Sequence, residues 1–381
     1  MVKPWLPAPA NPAVCLFMMT NTFETGGSER QFAILAKSLS RERFELHLGC
    51  IRREGPFAQD FADIPEFRLG GSLYGWKSLR TRLRLSRHLR RNGVEIAHAF
   101  EFYTTLTLVP AARLARVPVV IGSFRQLGDL MTPAQFRTQA IAFRWCDAVV
   151  CNSHAGADRL AASGLERKKL FVIGNALPDE AFAPVPAVLA PRPGLMRVGM
   201  VARMNARYKN HSGFLRIAAR IQQRFPDVEF VLVGDGPLRP ELEREAETLG
   251  LGSRVLFLGD RRDISGLLAS MNVAVLTSDS EGLSNVILEA MAARVPVVAY
   301  DVGGNGELVK ANRGVTVRPG DEDEFAAAVE RLLGQPSLRE ELGCNARAFV
   351  EANFSLERVR NAYEELYQSL RERKGLSITA T

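Results

Sequence analysis

Short apolar blocks recur along the chain, each closed by a small polar turn and followed by a longer stretch with apolar positions at helical spacing. In the first half the blocks are 13–19 (AVCLFMM), 44–51, 94–99, 117–122 (VPVVIG), 148–152 and 170–173. In the second half they are 198–201, 230–233, 255–258, 273–277 and 295–300. Short, consecutively apolar runs rich in Val, Ile and Leu predict strands buried on both faces, as in a parallel sheet. The intervening stretches predict helices. In 28–39, for example, Phe32, Leu35, Ala36 and Leu39 share one face. Strand and helix alternate in both halves, so the pattern predicts an α/β protein with two doubly wound parallel sheets in tandem. The proline-rich segment 182–195 has little helical pattern and reads as the linker, which gives domains 1–185 and 186–355.

Ligands of doubly wound sheets sit at the carboxyl ends of the strands. Asn21, Gly26, Gly27, His98, Arg125, Asn152 and Asn175 all follow predicted strands, and what they share is that edge of the first sheet. Gly26-Gly27 precedes a helix, where a bare backbone approaches a ligand closely. It matches neither the three-glycine dinucleotide fingerprint nor a Walker A loop.

In the second half the informative stretch is 278–298, SDSEGLSNVILEAMAARVPVV. Glu281 and Glu289 flank a turn, Gly282-Leu283-Ser284-Asn285, that opens an apolar helix. Ser284 or Asn285 can cap it by accepting a bond from a first-turn N–H. Acids beside a capped helix N-terminus suit an anionic, hydroxyl-rich ligand. Arg203 and Lys209 follow strand 198–201 and can hold a diphosphate as it departs with negative charge. Asp321-Glu322-Asp323 formally matches a metal-diphosphate pattern, but its place before EFAAAVERLL reads as a capped helix start, and no metal is expected.

At 381 residues the chain is long enough for two cores. Its net charge of +7 is uneven: residues 1–185 carry 24 Lys and Arg against 16 Asp and Glu, whereas 186–381 carry 25 against 26. The basic first half points to an anionic partner, and the lack of any DNA- or RNA-reading motif argues against nucleic acid. The predicted helix 78–91 concentrates this charge, with Arg80, Arg84, Arg87 and Arg91 on one arc and Leu79, Leu83, Leu85 and Leu89 on the other side. It reads either as a solvated face or as a docking face for anionic lipid or a diphosphate-linked acceptor. Five cysteines without a CxxC pair argue against a disulfide framework or zinc site and for a reducing compartment. The apolar run in residues 1–20 is too short and proline-broken for a signal peptide, and no run approaches the ~18 residues of a membrane span.

The motifs fall in a recognisable order: GGSER (26–30), CNS (151–153), VIGNALP (172–178), VARMNARYKN (201–210), VLVGDGP (231–237), FLG (257–259), SDSEGLSNVILEAMAARVPVVA (278–299) and DVGGNGELV (301–309). This resembles the retaining GT-B glycosyltransferases of family 4, over nearly the whole chain and most specifically in the C-terminal half. The resemblance implies two Rossmann-like domains with an interdomain cleft, and a C-terminal helix, about 356–381, that packs back on the first domain. It implies that Arg203 and Lys209 grip the donor diphosphate and that Glu281 meets sugar hydroxyls. The backbone at Gly282, Leu283, Ser284 and Asn285 would then lie against sugar and phosphate, and Glu289 would accept from the ribose. The loops holding Gly234 and Gly236, and Arg261, would lie near the base, with Gly26 and Gly27 approaching the phosphates. Arg125 stands where many members carry His, and is the candidate for a polar role near sugar or acceptor. His98 ends a strand where an HxH pair is common, with Phe100 replacing the second His. The implied function is metal-independent, cofactor-free transfer of a hexosyl unit from a nucleotide-diphosphate sugar, UDP-sugar favoured and GDP-sugar possible. The implied acceptor is a glycan or a lipid-linked sugar on the cytoplasmic side of a membrane, in cell-surface polysaccharide assembly. The alternatives are an epimerase or phosphorylase on the same plan, or a catalytically silent glycan-binding protein.

Overall fold

The computed structural model describes residues 13–61, 64–310 and 312–376. Most of the stretch weighed as a signal peptide, and the end of the expected C-terminal helix, lie outside the described residues. The chain forms two units. One comprises 13–152, 156–176 and 359–376; the other comprises 153–155 and 177–358.

The first unit is a parallel six-stranded sheet in the order β2-β1-β3-β4-β5-β6, built from β1 (Val14–Thr20), β2 (Phe44–Cys50), β3 (Ile96–Ala99), β4 (Val119–Phe124), β5 (Ala148–Cys151) and β6 (Leu170–Val172). Every residue of β1, β3, β4 and β5 is buried, as consecutive apolar runs require when helices cover both faces. β4 starts two residues into its apolar block, because Pro118 has no N–H for the ladder, and runs on through Ser123 and Phe124, which pair with Val150 and Cys151 of β5. Arg125 is therefore the first residue beyond the strand. Phe17, Leu85, Leu108, Phe124 and Phe143 fill the core on one side.

The helix Leu356–Arg373 belongs to this unit from Val359 onward. Its Glu364 accepts from the Ser40 N–H at 3.1 Å and pairs with Arg43, and its Arg371 pairs with Glu95 at 2.8 Å. The arginine-rich helix spans Trp76–Arg91, with Arg80, Arg84, Arg87 and Arg91 all exposed. Leu85 and Leu89 are buried as expected, but Leu79 is 46% exposed. At 100° per residue Leu79 falls beside the arginine arc rather than opposite it.

The second unit has the order β12-β11-β10-β7-β8-β9, from β7 (Met196–Val201), β8 (Val228–Val233), β9 (Val255–Phe257), β10 (Val273–Leu276), β11 (Val297–Tyr300) and β12 (Gly314–Val317). The edge strand β12 was not foreseen; its sequence, GVTV, is interrupted by a polar residue and only half-buried, so no continuous apolar block marks it. Phe214, Phe230, Leu288, Tyr300 and Phe325 lie at the centre of the core. The proline-rich segment is bonded onto this unit. Buried Arg197 donates to the carbonyls of Leu189 and Ala190 at 3.1 and 2.8 Å, and pairs with Glu229 at 2.7 Å. The chain therefore enters the second unit at Leu177, ahead of that segment.

Candidate active site

In the second sheet the strand order reverses between β7 and β10. The loops that leave the carboxyl ends of two such strands diverge to opposite faces and leave a crevice, the usual ligand position of this topology. Those two loops carry Arg203, Lys209 and the 277–285 stretch.

They are bonded to each other at several points. The Thr277 hydroxyl donates to the Asn210 carbonyl at 2.8 Å, the Asp279 N–H donates to the Tyr208 carbonyl at 2.7 Å, and the Asn210 amide meets Asp279 at 3.3 Å. Asn210 holds a left-handed backbone, φ 54°, and caps the helix His211–Arg224 by accepting from the Gly213 N–H at 3.0 Å. This framework presents Lys209 to Glu281, 2.7 Å apart, with only 21% and 12% of their side chains exposed. Lys209 also lies 5.1 Å from the centre of the Tyr208 ring. Arg203, the first charged residue past β7, is exposed.

Ser284, not Asn285, is the N-cap of the helix Asn285–Ala292, accepting from the Ile287 N–H at 3.3 Å. Glu289 sits on this helix, 8% exposed, and Leu283 is 7% exposed. The turn before the helix is pressed against the turn after β11, where the Gly304 N–H donates to the Gly282 carbonyl at 2.9 Å. A methyl group on Gly304 would stand 2.5 Å from that carbonyl oxygen. Near the other side of β7, the Gly234 N–H donates to the Gly259 carbonyl at 2.9 Å, joining the two loops expected near the base. Arg261 is held by Asp263 at 2.8 Å, and its guanidinium keeps that carboxyl below its ordinary range. Gly234 and Gly236 have φ of 130° and 153°, and a Cβ on them would lie 2.2 and 2.4 Å from the Ala202 and Met204 carbonyl oxygens. Gly234→Ala should therefore destabilise the protein by about 2 kcal/mol or more in urea unfolding. An unchanged midpoint would contradict this close approach of backbone to the Arg203 loop.

Asp321 caps the helix Glu322–Gly334 by accepting from the Glu324 N–H at 2.9 Å, while Arg216 takes Glu322 and Arg220 takes Asp323. The D-x-D look-alike is thus a helix start engaged by arginines. Among the described residues, Cys15, Glu45 and His47 are the group with metal-ligating atoms close together, within 4.8 Å. Cys15 and Glu45 face each other near the amino ends of β1 and β2, the opposite edge from the candidate sites.

The first sheet reverses between β1 and β3, so its crevice lies between the loop 21–26 and the residues after Ala99. Gly26 caps the helix Gly27–Ser38, and a Cβ there would fall 2.0 Å from a Glu29 carboxylate oxygen. Arg125 is half-buried; it donates to Asn175 at 2.5 Å and to the Tyr363 hydroxyl at 3.3 Å, and lies 5.8 Å from the Phe100 ring centre. Asn152 is buried with its amide 3.5 Å from the Arg125 carbonyl.

His98 corrects the expectation of a ligand contact. It is 0% exposed, with one ring nitrogen 2.8 Å from the Tyr367 hydroxyl and the other 2.8 Å from the Ser123 hydroxyl. Burial, reinforced by Arg125, depresses its pKa to about 3, so the imidazole is neutral and positions β3 and β4 rather than touching a ligand.

Glu101 was missed by sequence reasoning, although a carboxylate just after a strand and before a helix carried the signal. It accepts from the Asn21 N–H at 2.7 Å and the Thr20 hydroxyl at 3.2 Å, so it ties the two loops of the crevice together. Burial, then Glu29, pushes its pKa up to about 8 against the bonds from Asn21 and Thr20 and the charge of Arg125. Its ordinary value is 4.5. Between about pH 4.5 and about pH 8 the native carboxyl keeps a proton that the unfolded chain has released, so this group makes stability fall as pH rises through that window. Glu101→Gln should flatten the decline, read as unfolding midpoints near each end of the window. A decline as steep as that of the unaltered protein would contradict the assignment.

Two doubly wound parallel-sheet units, each with a crevice at its own switch point, are the architecture of the GT-B type. Residues 196–335 match the family Glycosyl transferases group 1, and residues 25–181 match Glycosyltransferase Family 4. The chain belongs to this group of glycosyltransferases. It is 32% identical over 263 residues to the lipopolysaccharide core biosynthesis glycosyltransferase LpsE of Rhizobium meliloti, covering 66% of this chain and 72% of that one. It is 28% identical over 358 residues to an Escherichia coli UDP-Gal:alpha-D-GlcNAc-diphosphoundecaprenol alpha-1,3-galactosyltransferase, covering 86% and 90%. The crystal structure of Anabaena HepE with UDP and glucose superposes with a TM-score of 0.79 at 21% identity, over 93% of this chain and all of that one, which establishes the shared fold. Among the described residues no helix is long and apolar enough to cross a membrane.

Proposed function

We propose that the protein transfers a hexosyl unit from a UDP-sugar to a glycan or lipid-linked acceptor, with retention of anomeric configuration and without a metal ion. The observation that carries this is the Lys209–Glu281 pair, fixed by the bonded 208–210 and 277–279 loops at the switch point. The diphosphate lies against Lys209, Arg203 and the N–H groups of the helix start at Ser284, so fixed cations supply the charge that a divalent ion supplies elsewhere. Glu281 meets sugar hydroxyls and Glu289 the ribose. The bond from the anomeric carbon to the β-phosphate oxygen breaks with its electron pair passing to phosphate. The acceptor oxygen bonds to that carbon from the same face, and its proton passes to the departing phosphate. The first unit, with Arg125 and Glu101 at its own crevice, takes the acceptor.

The UDP-Gal donor and diphosphoundecaprenol acceptor of the E. coli relative, and the UDP and glucose in the Anabaena structure, support this choice of donor and acceptor class. The setting that goes with this reading, as the sequence resemblance implies, is polysaccharide assembly at the cytoplasmic face of a membrane. Thermal shift against UDP, GDP, ADP and their sugars tests the donor, since a ligand that binds only the folded state raises the melting temperature. The UDP series should give the largest shift; no shift with any nucleotide would overturn the reading. In this setting Arg80, Arg84, Arg87 and Arg91, beside exposed Tyr74, Trp76 and Leu79, meet an anionic membrane. Co-sedimentation should favour anionic over neutral vesicles, and equal sedimentation with both would reject that contact.

A further inference from the structure

At the amino ends of β4, β5 and β6, on the edge of the first sheet opposite its crevice, lies a cavity of about 510 Å³. Its charged lining is lopsided. Arg113, Arg144, Lys168, Lys169 and Arg373 face it, against a single carboxylate, Asp147. Asp147 is already engaged by Arg113 at 2.9 Å, by Lys374 at 2.7 Å and by the Val120 N–H at 2.8 Å. Lys168 pairs with Glu166 at 2.7 Å, and Lys169 donates to the Arg144 carbonyl at 2.9 Å. Local acids therefore compensate only part of this charge, and a concave cluster of one sign attracts anions. The cavity also has a flat apolar wall, the Trp145 indole, which is 54% exposed directly beside Arg144. Exposed tryptophans are uncommon, because burying the ring is favourable by its large apolar area, and an indole edging a polar cavity suits a ligand with one apolar face and polar substituents.

We propose that this cavity binds an anionic saccharide, a sugar carrying phosphate or carboxylate groups, at a site separate from both switch-point crevices. The C–H face of the sugar ring lies on the Trp145 indole, and its anionic groups pair with Arg144 and Arg373, whose planar guanidinium groups match carboxylate and phosphate oxygens. A transferase that holds an acidic chain here has a second grip on it, remote from the reacting end. The site does not depend on which nucleotide the second unit takes, because all its residues belong to the first unit.

Calorimetric titration of the full chain tests this with four probes: oligogalacturonate, glucose 6-phosphate, a neutral maltooligosaccharide and inorganic phosphate. The acidic saccharide should bind more tightly than either the neutral one or phosphate, and its affinity should fall with added salt. Binding of oligogalacturonate but not glucose 6-phosphate marks a polymer site, and the reverse marks a free sugar phosphate; either supports the proposal. Arg144→Glu with Arg373→Glu should lower the affinity roughly tenfold or more. Both side chains are exposed, so the unfolding midpoint should not move. Trp145→Ala should weaken saccharide binding and leave phosphate binding unchanged. Equal binding of neutral and acidic saccharides, binding untouched by the double variant, or binding lost in Lys209→Ala instead would overturn the proposal. So would preferential capture by anionic vesicles that abolishes saccharide binding.

Discussion

Lys209→Ala and Arg203→Ala should each lower donor turnover by about a hundredfold or more, the usual cost of removing a preorganised group that faces developing negative charge. The structure separates the two. Arg203 is exposed, so its loss should fall on turnover with little change in stability. Lys209 is the partner of a largely enclosed carboxylate, and its removal leaves Glu281 uncompensated with 12% of its side chain exposed. Lys209→Ala should therefore also weaken donor binding and lower the unfolding midpoint. Adding Glu281→Gln to Lys209→Ala should recover stability without recovering turnover, because it removes the stranded charge but restores no cation. Steady-state kinetics with urea unfolding on the four proteins checks this. A Lys209→Ala protein altered only in apparent acceptor affinity would show that the cation does not serve the leaving group.

Glu289→Gln should weaken the affinity for the nucleoside diphosphate by about ten- to a hundredfold, the range for losing a charged acceptor of two hydroxyl donors in a closed site. The substitution keeps the shape of a side chain that is 8% exposed on a capped helix, so the fold is preserved. The loss should be the same for the free diphosphate and for the sugar nucleotide, because the ribose is common to both. A defect confined to the sugar nucleotide would move Glu289 from the ribose to the sugar, and equal affinity would remove it from the site.

Much of this architecture was legible in the sequence because it is written in local pattern. Eleven of the strands were visible as apolar blocks, and the turn at 282–285 announced its helix through Ser284. The order of strands within each sheet was not, yet it decides where the crevices lie. Pairings across long stretches of chain were also hidden. Lys209 and Glu281 are 72 residues apart, and both were singled out without any sign that they touch. His98 misled for the same reason. Its position after a strand suggested a ligand contact, but the Tyr367 hydroxyl that closes over it comes from 269 residues away. Glu101 went unnoticed because a lone carboxylate after a strand is common. Its weight comes from burial beside Thr20 and Asn21, which only the folded sheet supplies.

In the mechanism proposed above, the second unit activates a UDP-sugar with Arg203 and Lys209 and needs no metal ion. Release of UDP from a panel of UDP-sugars, followed in the presence of a chelator and a diphosphate-linked acceptor, tests it most directly. UDP release should be unchanged by the chelator and abolished in the Arg203→Ala/Lys209→Ala double variant. Release that stops with the chelator, or that continues at the original rate in the double variant, would contradict it.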